Sequence, residues 1–303
     1  MTSRWKAVSI PRLPLAVALG FLALLVLHLP LLRLPYFWDE AGYFIPAARD
    51  LLLTGDPIPQ STLSNAHPPL VMLWLAAVWK LFGYSPLATR TAMLLVAALA
   101  LAAVYRLARQ LASAEVAVAT AICTALFPVF FAQSTLAHLD MAAAAFTLWG
   151  LVFYLHQRRL TAIALFALAA LAKETAIITP MALAAWEAAG KLSINFSKSR
   201  NPDPDHQDRQ DSRWSSLWRS CALEPPPWPE TAALLLPLVP LAAWFAYHYA
   251  RTGYILGNPE FVRYNVLANL HPLRFSLAIL TRLWHLLGYM NLFVLTVATL
   301  LAM

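Results

Sequence analysis

Apolar runs of nearly bilayer-spanning length recur along the whole chain, and they decide what it can fold into. They cover residues 13–32, 90–107, 114–131, 140–157, 160–172 joined closely to 175–190, 231–250, and a last stretch from about 276 to the end. A transmembrane helix needs about 20 mostly apolar residues. Only helices and closed barrels satisfy their backbone hydrogen bonds inside lipid. The expected fold is therefore all-α, a polytopic transmembrane bundle of about eight spans. The first run has no small-residue cleavage site and is followed by further apolar segments, so it reads as a retained helix.

Composition agrees. The chain is 60% hydrophobic and 12% charged, with a mean hydropathy of +0.60, where a soluble domain carries about 25% charged residues. Half the usual charge cannot cover a protein of 303 residues, and lipid must serve as part of its solvent. The formal charge of +7 lies mostly in short segments between apolar runs. No basic patch with interleaved aromatics occurs, which argues against a nucleic-acid partner. Cys123 lies in an apolar run and Cys221 in a polar one, and two such residues make neither a disulfide framework nor a metal motif.

One shorter run, 68–82, contains Lys80, and whether it crosses sets the topology of everything after it. With a cytoplasmic N-terminus (Arg4, Lys6, Arg12) and 68–82 lying at the outer surface, the cytoplasmic segments also include Arg106/Arg109, Arg158/Arg159 and the 191–230 stretch. Together they hold 13 of the 22 Lys and Arg. A crossing at 68–82 reverses that bias, against the positive-inside tendency. The first topology is the expected one. It places Asp39, Glu40, His67, Asp140 and Lys173 on one outer side, although none of them was used to choose it.

The expected organisation follows. Residues 1–190 form a transmembrane module with a long outer loop, 33–90, which carries interfacial amphipathic helices. Phe44, Ala47, Ala48, Leu51 and Leu52 share one helical face, and Thr54-Gly55-Asp56-Pro57 stops that helix. Residues 191–230 read as a polar cytoplasmic linker. Residues 231–303 add further helices and an outer segment, 251–275. The chain stops inside an apolar run at Leu300-Leu301-Ala302-Met303, which reads as truncation at least as readily as a natural end.

Asp39-Glu40 is the sharpest chemical feature. Adjacent carboxylates at a helix start suit either the helix dipole or general-base work at the membrane surface. His67 precedes Pro68-Pro69 and is fixed at a rigid turn. Asp140 opens the 140–157 run, where it could cap a helix or serve chemistry, because a carboxylate near hydrocarbon needs a partner or water. Lys173-Glu174 could neutralise itself, or the lysine could hold an anionic headgroup. Arg263 and Tyr264, in the outer segment, are candidates for headgroup or sugar contact. No Gly-rich phosphate loop occurs, which disfavours a nucleotide-sugar donor.

In the order Trp38-Asp39-Glu40-Ala41-Gly42-Tyr43, His67-Pro68-Pro69-Leu70, Phe82-Gly83-Tyr84-Ser85 with Arg90, Gln133 to Asp140, and Leu171-Ala172-Lys173-Glu174, the chain resembles the C-type fold glycosyltransferases. The likeness is to the dolichyl-phosphate-mannose protein mannosyltransferase family and its bacterial relatives that move aminoarabinose onto lipid A. The resemblance covers about residues 10–190. It implies a polyprenyl-phosphate-linked sugar donor, a hydroxyl acceptor of unknown identity, and inversion at the anomeric carbon. The site would lie on the outer face of a multi-pass protein in the membrane, a bacterial inner membrane by this reading. By the resemblance Asp39 is the general base and Asp140 the acid of the second outer loop; Glu40 and Asp140 are expected to orient base or acceptor. His67, Lys173 and Arg90 would hold the donor phosphate. Tyr43, His138, Arg263 and Tyr264 would contact substrate. Two departures stand out: the lipid A enzymes have a lysine where this chain has His67, and the protein mannosyltransferases have an acid where it has Ala66. No cofactor is required; a divalent ion could sit among the acids and His67, but no ligand spacing demands one. The rival readings are a lipid or solute transporter, which predicts charges near mid-span and symmetric repeats, and a non-catalytic membrane scaffold.

Overall fold

The computed structural model describes residues 13–200, 228–263, 267, 270–289 and 292–302. Among these the chain is helical, with no strand. α1 (Leu13–His28) leads into a loop and then a π-helical turn, Glu40–Phe44, which runs on into α2 (Ile45–Thr54). Next come α3 (Leu70–Phe82), α4 (Pro86–Leu111), α5 (Ala114–Leu126), α6 (Pro128–Gln133), α7 (Leu139–Leu155), α8 (Arg159–Ala172) and α9 (Ile178–Arg200). After the gap follow α10 (Trp228–Ala233), α11 (Leu238–Thr252), α12 (Pro272–Leu287) and α13 (Leu292–Ala302).

Local sequence sets the boundaries. Ser85, extended at φ −160°, caps α4 by accepting from the Ala88 N–H, and Pro86 fills the first turn where no donor is needed. Ser113 caps α5 in the same way through Val116. Gly55 ends α2 in the left-handed conformation, φ +74°, with its N–H bonded to the Leu51 carbonyl. The expected single span 114–131 is broken. Pro128 has no N–H to continue the helix and holds Phe127 extended, so α5 stops and α6 starts anew.

Two stretches are long and apolar enough to cross a membrane by length and composition, Pro86–Leu111 and Trp228–Thr252, the latter spanning α10 and α11. The other apolar helices are shorter, among them Ala114–Leu126, Leu139–Leu155 and Arg159–Ala172. Leu15, Leu19, Leu22 and Val26 of α1 and Val118 and Ile122 of α5 remain exposed, as they do on an integral membrane protein whose lipid-facing surface needs no polar cover.

Small residues are buried along α4, α7 and α8. Ala97, Ala98 and Ala103 of α4, Ala142 and Ala145 of α7, and Ala169, Ala170 and Ala172 of α8 are buried, which lets these helices approach closely. Gly150 of α7 faces the fully buried Phe166 of α8, whose ring fills the space a β-carbon would take.

Polar contacts at the helix ends give the relative topology. Asp140 at the start of α7 pairs with Lys173 after α8, and Tyr154 near the end of α7 meets Glu187 of α9, which also binds Arg159 at the start of α8. α7, α8 and α9 therefore alternate in direction. α3 is different. His67, just before it, bonds to Glu174, and Arg90, just after it, bonds to Pro35 and Thr135. Both flanks of α3 sit at one end of the bundle. Its buried face is Val71, Met72, Leu75, Ala76, Val78 and Trp79, with Lys80, Leu81 and Phe82 outward.

Residues 191–200 of the expected linker are helical, and 201–227 lie outside the described residues. α9 continues to Arg200, and Lys191 is buried against Thr231, which also donates to Glu187. Glu230 adds a second carboxylate to Arg159 at 3.1 Å. A polar cluster thus ties α8, α9 and α10 together at the end of the bundle opposite α3.

Candidate active site

The site starts from a reversal of the chain at Trp38, which adopts φ +52° although it is not glycine. The turn sends the two adjacent carboxylates apart. Asp39 is exposed, and no hydrogen bond or ion pair engages its carboxylate among the described residues. Glu40 is completely buried. It accepts from the Ala137 N–H at 2.7 Å, from the Phe37 N–H at 3.3 Å, and from Arg90 Nη1 and Nη2 at 3.5 and 3.3 Å.

Arg90 is itself buried and donates to three carbonyls, those of Leu34, Pro35 and Thr135. One buried pair thereby fastens the 34–40 loop and the 135–137 loop to the first turns of α4. The phosphate contact expected of Arg90 does not fit this placement: its guanidinium faces Glu40 and carbonyl oxygens inside the protein. The orienting role expected of Glu40 is likewise confined to holding the backbone beneath Asp39.

Two further ion pairs lie nearer the surface. Lys173 Nζ is 2.6 Å from Asp140 Oδ1, and His67 Nδ1 donates to Glu174 Oε2 at 2.9 Å. Lys173 and Glu174 do not neutralise each other; each takes a partner from another loop. Burial pushes the Glu174 carboxyl up, but the hydrogen bond and charge of His67, helped by Lys173, more than offset this and hold it below its ordinary value. Glu174 is therefore anionic at neutral pH and accepts the His67 N–H.

Aromatic rings close the arrangement. The His67 ring stacks on Phe44 at 6.1 Å and meets Tyr43 edge-on at 6.5 Å, and Phe44 lies 5.7 Å from His138. His138 Nδ1 bonds with Gln133 Oε1 at 3.0 Å, and its buried Nε2 has no partner among the described residues. Burial pushes the Tyr43 phenol up to about 12, against hydrogen bonds with the Asn65 backbone and Ser64, so it stays neutral. Contacts thus run in a closed circuit from Glu40 to the 137–140 segment, on to Lys173, Glu174 and His67, and back through Phe44. Asp39 stands at its edge.

Arg263 is exposed beyond a single helical turn at Pro259–Phe261, and Tyr264 lies outside the described residues. Ser64, Trp244 and His248 border the site and were missed from sequence. Their only signal is a histidine one turn after a tryptophan inside an apolar run.

The family of dolichyl-phosphate-mannose-protein mannosyltransferases matches residues 66–197. Two crystal structures of ArnT from Cupriavidus metallidurans are similar. The apo form is 20% identical with a TM-score of 0.52, over 82% of this chain and 44% of that one. The form bound to undecaprenyl phosphate is 19% identical with a TM-score of 0.53, over 84% and 44%. The chain has the C-type glycosyltransferase fold. It spans less than half the length of these two relatives. No curated protein matches the sequence. Within the C-type fold, the family match takes in His67, Arg90, Asp140, Lys173 and Glu174, while Asp39 and Glu40 precede it.

Proposed function

We propose that the protein transfers a sugar from a polyprenyl-phosphate donor to a hydroxyl acceptor, with inversion, at the end of the bundle that carries Asp39. The observation that carries this reading is an exposed carboxylate, Asp39, unengaged among the described residues, at the same end of the bundle as Lys173, whose pair with Asp140 is partly open to solvent. Surface ion pairs are worth about 0–1 kcal/mol, so a phosphate can compete with Asp140 for Lys173. Breaking the buried Glu40–Arg90 pair costs about 3–5 kcal/mol, which leaves Arg90 with its structural task. The matched family and the ArnT complex with undecaprenyl phosphate support this donor class.

In this reading Asp39 takes the proton of the acceptor hydroxyl as its oxygen attacks the anomeric carbon. The bond from that carbon to the phosphate oxygen breaks, and polyprenyl phosphate leaves with its charge held by Lys173 and His67. Asp140, released from Lys173, is placed to orient the acceptor, and Tyr43 and His138 line the same circuit as hydrogen-bonding groups. The reaction asks for no cofactor, and transfer should survive EDTA. The acid cluster belongs on the extracytoplasmic side by the charge bias of the segments at the opposite end.

The test is incubation of the membrane-embedded chain with radiolabelled prenyl-phosphate sugars and analysis of which hydroxyl compound becomes labelled. Label that appears with the wild type and disappears with Asp39→Asn supports the reading. Undiminished transfer by Asp39→Asn ends the base assignment. No label from any prenyl-phosphate sugar favours the scaffold instead.

A further inference from the structure

The loop before His67 is held from outside the stretch matched by the mannosyltransferase family. Trp244 and His248 lie one turn apart on α11, and both are buried. Trp244 Nε1–H donates to the Ala66 carbonyl at 2.9 Å. His248 Nδ1–H donates to the Tyr254 carbonyl at 2.7 Å, which leaves Nε2 to accept from the Ser64 hydroxyl at 2.7 Å. Asn258 Nδ2–H donates to the Ser64 carbonyl at 3.0 Å, and Arg251 pairs with Asp56 at 2.6 Å where the loop begins.

These contacts converge on one strained residue. Ala66 has φ +62°, a left-handed conformation that a residue with a β-carbon keeps only when its surroundings impose it. His67 comes next, and Pro68 restricts its backbone. The direction of the imidazole toward Glu174 therefore depends on the twist at Ala66, and that twist depends on the indole N–H of Trp244.

We infer that α11 is a brace that sets His67 against Glu174, with Trp244 and His248 as positioning residues for the donor-phosphate side of the site. α11 packs on α8, and α10 before it is tied to α9 through Thr231 and Glu187. The brace is thus anchored at the opposite end of the bundle and acts at this one. Its role in transfer rests on the proposed function, but its effect on His67 does not.

The experiment uses the full chain in lipid nanodiscs. The rate at which diethyl pyrocarbonate modifies His67 is read by mass spectrometry for the wild type, Trp244→Phe, Ser64→Ala, and Trp244→Phe combined with Ala66→Gly. Loss of one ordinary hydrogen bond should raise the rate about 5–10-fold in the first two variants. Glycine takes a positive φ without help, so the double variant should return close to the wild-type rate. With a labelled donor, KM for the donor should rise in parallel while KM for the acceptor stays put. Unchanged His67 reactivity in both folded single variants overturns the brace, as does a double variant that shows no recovery. If His67 responds as expected but no sugar is transferred by the wild type, the brace stands and the transferase reading falls.

Discussion

Lys173 Nζ lies 2.6 Å from Asp140 Oδ1, joining the end of α8 to the start of α7 across 33 residues of sequence. Lys173 is 28% exposed and Asp140 58%. Water screens such a pair, and it adds about 1 kcal/mol or less to stability. Lys173→Ala should therefore leave the thermal midpoint nearly unchanged in detergent. It should still lower transfer by about 100-fold, because the leaving phosphate loses a charge partner worth more in the transition state than in the fold. A matching drop in both midpoint and rate would make the lysine structural.

The Glu40–Arg90 pair should behave in the opposite way. Arg90→Met leaves a fully buried carboxylate with only two backbone donors, and the expected loss is about 3–5 kcal/mol. Adding Glu40→Leu removes the orphaned charge and should restore much of it. Denaturation midpoints of the two variants check this. Equal destabilisation in both would show that the backbone contacts, rather than the charge, dominate.

These two pairs show what could be read from sequence and what could not. The gathering of Asp39, Glu40, His67, Asp140 and Lys173 at one end followed from apolar run lengths and the distribution of Lys and Arg, because helix direction alternates with each crossing. Which carboxylate of Asp39-Glu40 turns inward was not legible, because it depends on the positive φ at Trp38, which no residue type there announces. The partner of Arg90 was hidden for the same reason, since Leu34, Pro35 and Thr135 bind through carbonyls that every residue carries. The break at Pro128 was legible and was passed over, because apolarity alone ran on past it. His248 looked like one more member of an apolar run until the 64–67 loop lay beside it.

Gly150→Ala tests the packing of α7 on α8. Alanine improves helix propensity by about 1 kcal/mol, but its β-carbon would lie 2.5 Å from Phe166 Cε1. Phe166 is fully buried, and its flat ring has no slack to yield. Overpacking of this kind costs about 1–3 kcal/mol, so the variant should be the less stable despite the better propensity. Phe166→Leu in the Gly150→Ala background should recover part of the loss. A midpoint that rises with Gly150→Ala would mean that the two helices separate freely.

Glu174 makes stability depend on pH. Its folded pKa lies below the ordinary value of 4.5, because the bond from His67 outweighs the effect of burial. A depressed carboxyl contributes stability that is complete above the unfolded pKa and is lost as pH falls through the folded one. The wild type should therefore hold a level thermal midpoint from neutrality down to about pH 5 and decline below it. Glu174→Gln keeps an acceptor for the His67 N–H but cannot titrate, so its curve should start lower and fall less steeply over the same range. Asp50 carries the same sign, because the N–H groups of Ser61 and Gln60 and the Ser61 hydroxyl outweigh its desolvation. The difference between wild type and Glu174→Gln isolates the His67 pair from that second contribution. A difference that stays constant from pH 7 to about pH 3 would show that the carboxylate charge adds nothing to the hydrogen bond.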